Sequence, residues 1–255
     1  MLSRPVSGGL DGSVQRMVMF VVGALAVALG PPPAAAEKGA RPARVTKAAE
    51  RARARLGAKM KKRGMHFGQE VFLRAFKEEA ELEVWLKTAD TFERLKTYPI
   101  CAASGGLGPK ERQGDGQVPE GFYAFGPQAM NPASSYHLSF DIGYPNAFDR
   151  KLGRTGSLIM VHGDCVSVGC LAMTNDGIDE IYSLVDAAHE AGQRSVAIHL
   201  FPFRMTEENM HAHERSAWRA FWENLKAGYD LFERDHLPPN VRHARGRYTF
   251  ESAAE

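Results

Sequence analysis

Residues 70–76 and 81–87 follow a period of two, and that alternation constrains the fold more than any other feature of the chain. In the second run Leu82, Val84 and Leu86 share one face, Glu81, Glu83 and Lys87 share the other, and 77–80 supplies a turn. The pattern predicts an antiparallel hairpin with one wet face. A third strand is expected over 98–103, before the turn-rich Ser104-Gly105-Gly106-Leu107-Gly108-Pro109, and a polar loop over 111–120. Further short strands are expected near 122–125, 136–140 and 157–162, and another over 194–201.

Helical spacing appears in Ile178, Ile181, Leu184, Val185 and Ala188, with Thr174 or Asn175 as the N-cap and Gly192 as the stop. Trp218, Phe221, Trp222, Leu225, Tyr229 and Phe232 mark one face of a long C-terminal helix, which reads as core. Beyond Pro238-Pro239 the basic tail is expected to be loose. The elements add up to a mainly β body with flanking helices and a C-terminal helical extension.

Charge is segregated along the chain. Residues 37–63 hold eleven Lys or Arg against two Glu, although the whole chain of 255 residues carries only +2. A basic arm therefore precedes an acidic body, and the arm would be the part drawn to polyanions. It reads as a solvated helix or flexible linker over 37–66, having few large apolar residues to bury. At 44% hydrophobic and 24% charged residues, wholesale disorder and a multi-span membrane protein are excluded.

The N-terminus reads as an export signal. Arg4 and Arg16 precede an apolar run over 17–29, and a breaker at 30–33 leads into Ala34-Ala35-Ala36, so cleavage is expected after Ala36. The run is shorter than the roughly 20 residues that span a bilayer, which leaves an uncleaved anchor as the alternative. The expected location is the periplasm or cell envelope, and an oxidising compartment bears on the three cysteines, Cys101, Cys165 and Cys170.

The densest chemistry lies in 160–170. A strand delivering His162 into a short loop that returns Cys170 would bring imidazole and thiol together, and a nearby base makes the thiol a nucleophile. Gly169 lets backbone amides approach a developing oxyanion. Three other readings of the same residues stand beside this one: a Cys165–Cys170 disulfide, two simply buried cysteines, and a zinc site on His162, Cys165 and Cys170, which lacks a local fourth ligand. Tyr144 and Asn146 are candidates to line a substrate groove, and Arg154 to bind a carboxylate. His137 and His199 read as structural.

His162-Gly163 followed by Ser167-Val168-Gly169-Cys170 resembles the HG…[ST]-x-G-C signature of the YkuD-type L,D-transpeptidase family, and the surroundings resemble its YafK-like branch. The similar stretches are 72–85 (FLRAFKEEAELEVW), 98–110 (YPICAASGGLGPK), 114–123 (GDGQVPEGFY), 139–150 (SFDIGYPNAFDR), 160–174 and 199–205 (HLFPFRM). The resemblance implies a β-sandwich-like catalytic domain over 67–205, followed by the C-terminal helix and tail over 206–255. It implies Cys170 as nucleophile, His162 as base, and Ser167 with Gly169 shaping the site. Val168 stands where most members carry a second His and Ala172 where they carry an Arg, and the loop between His162 and Cys170 is short.

The family acts on peptidoglycan stem peptides in cell wall biogenesis and cell shape. The implied reaction is attack by Cys170 on the diaminopimelate carbonyl, giving a thioester that passes to an amine in transpeptidation. Water in place of the amine would make the protein an amidase or carboxypeptidase that trims stems or releases a wall-linked lipoprotein. A noncatalytic wall-binding module is a third reading. No metal, cofactor or nucleic acid is implied, and the basic arm is a candidate to contact an anionic envelope surface. The odd cysteine count allows Cys101 to pair with Cys165 and leave Cys170 free, the alternative being two buried thiols.

Overall fold

The computed structural model describes residues 41–254. The export signal expected over 1–36 lies outside the described residues. In chain order the elements are α1 (Ala43–Lys62), β1 (Val71–Phe76), β2 (Glu81–Thr88), β3 (Thr91–Pro99), β4 (Gly121–Phe125), β5 (Met130–Asn131), β6 (Ser139–Asp141) and α2 (Ala147–Lys151). They continue with β7 (Met160–His162), β8 (Leu171–Ala172), α3 (Asn175–Glu190), β9 (Val196–Phe201), α4 (Glu207–Ala212), α5 (Arg219–Asp235), β10 (Asn240–Ala244) and β11 (Arg247–Glu251).

One sheet has the order β3-β2-β1-β9-β4, a second β5-β6-β7-β8, and β10 pairs with β11. The expected hairpin is present, with Phe72 opposite Trp85 and Leu73 opposite Val84, and β9 lies parallel to β1 on its other side. Val71, Leu73, Leu82, Val84, Ile198 and Leu200 enter one core with Phe140 and Val161 of the second sheet, and Phe125 stacks on Phe140 at 4.6 Å. Two sheets thus share a core, with helices flanking them, as the sequence implied.

The expected wet face of the hairpin is instead buried. Glu83 is fully buried and Arg74 nearly so, and Phe232 of α5 packs against Trp85 at 4.9 Å over that face. Buried charges persist only when paired and hydrogen-bonded, and here they are. Glu83 accepts from Arg74 at 2.9 Å, from Arg94 at 2.8 Å, from Arg204 at 2.9 Å and from Trp85 Nε1 at 2.9 Å. A strand face with charged residues therefore sits under a helix because the neighbouring strand supplies the countercharge.

Three other expectations are corrected. The strand expected over 98–103 is largely earlier, at β3, and only an isolated bridge of Ala102 to Ala172 remains of its second half. The tail after Pro239 is a hairpin, β10-β11, seated by Tyr248 and Asn224, which exchange two hydrogen bonds of 2.8 and 3.0 Å. The basic arm forms a helix, one of the two readings, but is not solvated all round. Val45, Ala48, Ala52, Leu56 and Met60 form a buried stripe at helical spacing, and its guanidinium groups meet the acids of α3. Arg41 pairs with Asp186, Arg51 with Asp179 at 2.7 Å and Arg55 with Asp176.

The apolar stripe holds α1 in place, since each fully buried Val, Leu or Met stabilises by roughly 1.5–3 kcal/mol whereas an exposed ion pair contributes about 0–1. The charges select the partner: three arginines of the basic segment meet acids of the facing helix, so part of the asymmetry read along the chain is met in three dimensions.

The buried pair yields a stability prediction. Burial alone would raise the Glu83 pKa, but the Arg74 charge and the hydrogen bonds from Arg94, Arg204 and Trp85 outweigh it and hold it at about 2, against an ordinary 4.5. A depressed carboxylate pKa stabilises the fold above the ordinary value, and the stabilisation fades as pH falls from about 4.5 through about 2. Glu83→Gln leaves Arg74 buried without its partner and is expected to cost about 3–5 kcal/mol in urea unfolding at pH 7. A loss below about 1 kcal/mol would show that Glu233, which Arg74 also contacts at 2.5 Å, suffices as its partner.

Candidate active site

Register places the chemistry. β6 pairs with β7 so that Ser139 faces His162 and Asp141 faces Met160, and β8 lies parallel to β7 with Ala172 level with His162. Cys170 immediately precedes β8 and is level with Met160, two positions along β7 from His162. At about 3.3 Å per residue that is roughly 7 Å along the strand. Met160 N–H donates to Cys170 Sγ at 3.4 Å, and the thiol lies 3.6 Å from Leu158 O. No hydrogen bond joins Cys170 to His162 among the described residues.

His162 is buried, and its Nδ1 lies 2.7 Å from Gly163 O. A carbonyl only accepts, so Nδ1 carries the proton and Nε2 keeps the lone pair that a general base needs. The ring packs against Tyr136, with centroids 4.9 Å apart. Burial pushes the His162 pKa down, against smaller opposing effects of Gly163 O and Asp164. Burial pushes the Cys170 thiol up, reinforced by Asp141 and opposed by Met160 N–H and Lys110. Both shifts favour the neutral form of each group.

The loop from Gly163 to Cys170 is held at several points. Asp164 N–H donates to Asn175 Oδ1 at 2.9 Å, and a Cβ at Gly163 would lie 2.5 Å from that same oxygen, so the close approach requires glycine. Ser167 Oγ accepts from Cys170 N at 2.9 Å and donates to Cys170 O at 2.7 Å. Gly169, at φ +85°, donates to Ser104 Oγ at 2.5 Å, and Ser104 in turn donates to Gly116 O at 2.6 Å. The amides of both Gly169 and Cys170 are therefore engaged, and neither is free to meet an oxyanion in this state. Ser167 and Gly169 fix the backbone at the nucleophile.

Cys101 and Cys165 form a disulfide, with Cα atoms 5.3 Å apart, and Cys170 is the free thiol. This overturns the Cys165–Cys170 pairing. It also overturns the zinc reading, because Cys165 has no thiolate to offer. The bridge ties the loop to the segment after β3, whose Cys101 N–H donates to Ala172 O at 2.9 Å. A second wall, the 104–118 loop, is anchored by buried Glu120, which accepts from Lys77 at 3.0 Å, Gly108 N at 2.7 Å and Trp222 Nε1 at 2.8 Å. Tyr136, which packs on His162, and Leu158, Val166 and Val168 of the segments flanking β7 and β8 are exposed apolar side chains.

The three proposed groove residues serve architecture instead. Tyr144 is buried, its hydroxyl donating towards Lys110 O at 3.2 Å and Thr155 O at 3.3 Å. Asn146 caps α2 by accepting from Asp149 N at 2.9 Å, and its Nδ2 donates to Phe122 O and Tyr248 OH, each at 2.8 Å. Arg154 is buried against Asp149 at 2.9 Å and lies over the Phe148 and Phe221 rings. The Tyr144 hydroxyl and the Asn146 amide are thus taken up within the fold, and Arg154 spends at least Nη1 on Asp149. His137 contacts Asp179 at 2.7 Å, and His199 is buried between Phe72 and Phe122.

Sequence reasoning missed Ser104, Tyr136 and the Gly163 carbonyl. Ser104 before Gly105-Gly106 marked a turn, but its partners lie 65 and 12 positions away. The remaining two act through packing and backbone, which no side-chain pattern announces.

Comparison with known proteins gives the family. The L,D-transpeptidase catalytic domain (YkuD) family matches residues 80–198. YafK of Escherichia coli K12, assigned to the L,D-transpeptidases, is 49% identical over 181 residues, which is 71% of this chain and 74% of YafK, and YafK of E. coli O157:H7 matches equally. Among solved structures, the K307A mutant of the helical cell shape determining protein Pgp2 from Campylobacter jejuni aligns with TM-score 0.44 and 21% identity, over 65% of this chain and 60% of Pgp2. Bd1075 of Bdellovibrio bacteriovorus aligns with TM-score 0.39 and 19% identity, over 74% of this chain and 87% of its own. The identity to YafK along most of both chains shows that the protein belongs to the YkuD-type L,D-transpeptidase family.

Proposed function

We propose that the protein is an exported cysteine acyltransferase that acts on peptidoglycan stem peptides at the diaminopimelate carbonyl. The observation that carries this reading is the free Cys170 thiol, backbone-pinned by Ser167, beside a neutral His162 whose tautomer leaves Nε2 as acceptor. In the proposed step Cys170 Sγ leaves Leu158 O and comes within reach of His162. Nε2 takes the thiol proton as Sγ bonds to the carbonyl carbon, the bond to the leaving amine breaks, and the imidazolium returns the proton to that amine. The thioester then passes to an acceptor amine in transpeptidation, or to water in hydrolysis that trims stems or frees a wall-linked lipoprotein. The periplasm or cell envelope is the proposed location. Lys47, Lys59, Lys61 and Lys62 remain exposed on α1 for contact with an anionic envelope surface.

The test is incubation of purified muropeptides with the mature protein and mass analysis of the products. Dimers or exchanged D-amino acids indicate transfer, truncated stems indicate hydrolysis, and unchanged muropeptides would refute the substrate.

Cys170→Ala is expected to abolish turnover with the fold intact, and His162→Ala to lower kcat by roughly 100- to 10,000-fold. In the oxidised protein a thiol reagent should label Cys170 alone. A Cys170 found quantitatively disulfide-bonded, with function intact in Cys170→Ala, would favour a noncatalytic wall-binding module.

The pH profile follows from the two neutral groups. His162 must be unprotonated to act, and its pKa is lowered, so the acidic limb of kcat/KM should lie below the ordinary imidazole value of 6.5. The Cys170 thiol is raised, so its ionisation, followed by thiolate absorbance, should lie above an ordinary thiol's 9.0. A midpoint near neutrality would instead indicate a preformed thiolate–imidazolium pair.

A further inference from the structure

The helix α1 precedes the 80–198 segment that matches the family, yet its side chains reach the backbone that orients the catalytic base. We infer that α1 is a working part of the active site, and that Arg44 and Arg51 are positioning residues for His162. The inference rests on the catalytic role proposed above for His162 and Cys170.

The contacts run without a gap. Arg44 Nη1 donates to Ser134 O at 2.8 Å and to His137 O at 2.7 Å. Arg51 Nε donates to Asp179 Oδ2 at 2.7 Å, while the other oxygen of that buried carboxylate meets His137 Nε2 at 2.7 Å. Asp179 thus joins α1 to the segment 134–138 through α3. That segment holds the base in two ways. The Tyr136 ring packs on His162, and Tyr136 O accepts from Gly163 N at 3.0 Å, with Leu138 O at 3.3 Å. The Gly163 carbonyl then fixes the His162 tautomer.

His137 explains why such external support is needed. Its φ of +64° is left-handed, a conformation that costs a non-glycine residue of order 1–3 kcal/mol and persists only where the surroundings enforce it. The contacts from Arg44 and Asp179 fall on this residue. Freed of them, 136–138 can relax, and Tyr136 O leaves Gly163 N. A displacement of about 1 Å in a positioned catalytic group can cost about 100-fold in rate.

The test compares Arg44→Ala, Arg44→Lys and Arg41→Ala in the full chain. Arg41 docks the same helix through Asp186 and Glu190 but does not touch 134–138, so Arg41→Ala controls for loss of docking. Measured well below each Tm on muropeptides, Arg44→Ala should lower kcat tenfold or more with KM within twofold. Arg44→Lys should recover most of that loss, and Arg41→Ala should match the wild type. Iodoacetamide alkylation of Cys170 at pH 7 gives a readout independent of substrate: Arg44→Ala should slow it in the same sense as His162→Ala. Equal kcat and equal alkylation rates in Arg44→Ala and Arg41→Ala would overturn the inference. If the wild type leaves muropeptides unchanged while Arg44→Ala alone slows alkylation, the positioning role stands and the substrate proposal falls.

Discussion

The site depends on a two-residue strand bonded on both sides. Leu171 and Ala172 pair with Val161 and His162 on one edge, and Ala172 exchanges hydrogen bonds of 2.9 and 3.3 Å with Ala102 on the other. A strand that short has little stability of its own. It keeps its register because Met173 N–H reaches His162 O at 2.7 Å, and because the Cys101–Cys165 bridge closes the loop that leads into it. Move that register by one residue and Cys170 would leave the level of Met160, turning to the opposite face from His162.

Around this short strand the supports are long-range and mostly polar. Ser104, Glu120 and Lys77 fix the 104–118 wall, and Asn175 fixes the start of the loop. On the far side of the larger sheet Glu83 gathers three guanidinium groups beneath α5. These networks tolerate burial because each charge has a partner, and removing one partner is more damaging than never having built the pair. Cys170 and His162 are the opposite case. Burial raises the thiol pKa and lowers that of the imidazole, and the smaller opposing effects beside each do not offset it.

The structural elements differ in how far they could be read in advance. The hairpin β1-β2 and helix α3 follow from local periodicity and a Thr174 cap whose Oγ1 accepts from Gly177 N at 3.0 Å, as expected from the sequence. The wet face assigned to Glu83 failed because its countercharge lies on another strand and its cover comes from a helix about 150 residues later. The arm failed for a related reason. Counting charges along 37–63 shows an excess, but only folding reveals that α3 carries the matching acids.

The sequence by itself determined the family, the spacing of His162 and Cys170 in one motif, and the two candidate partners left for Cys165, because these are set by residue identity and order. Tertiary structure decided which cysteines pair, since proximity of Cys101 to Cys165 depends on the Ala102–Ala172 bridge across 70 positions. It also decided that Tyr144 and Asn146 are taken up within the fold, because a polar side chain serves a substrate only if folding leaves its donors and acceptors open, and here folding satisfies them, while Arg154 is drawn to Asp149. The reach of α1 to the His137 carbonyl is likewise a tertiary fact, because it runs through a backbone group that every residue carries and no sequence distinguishes.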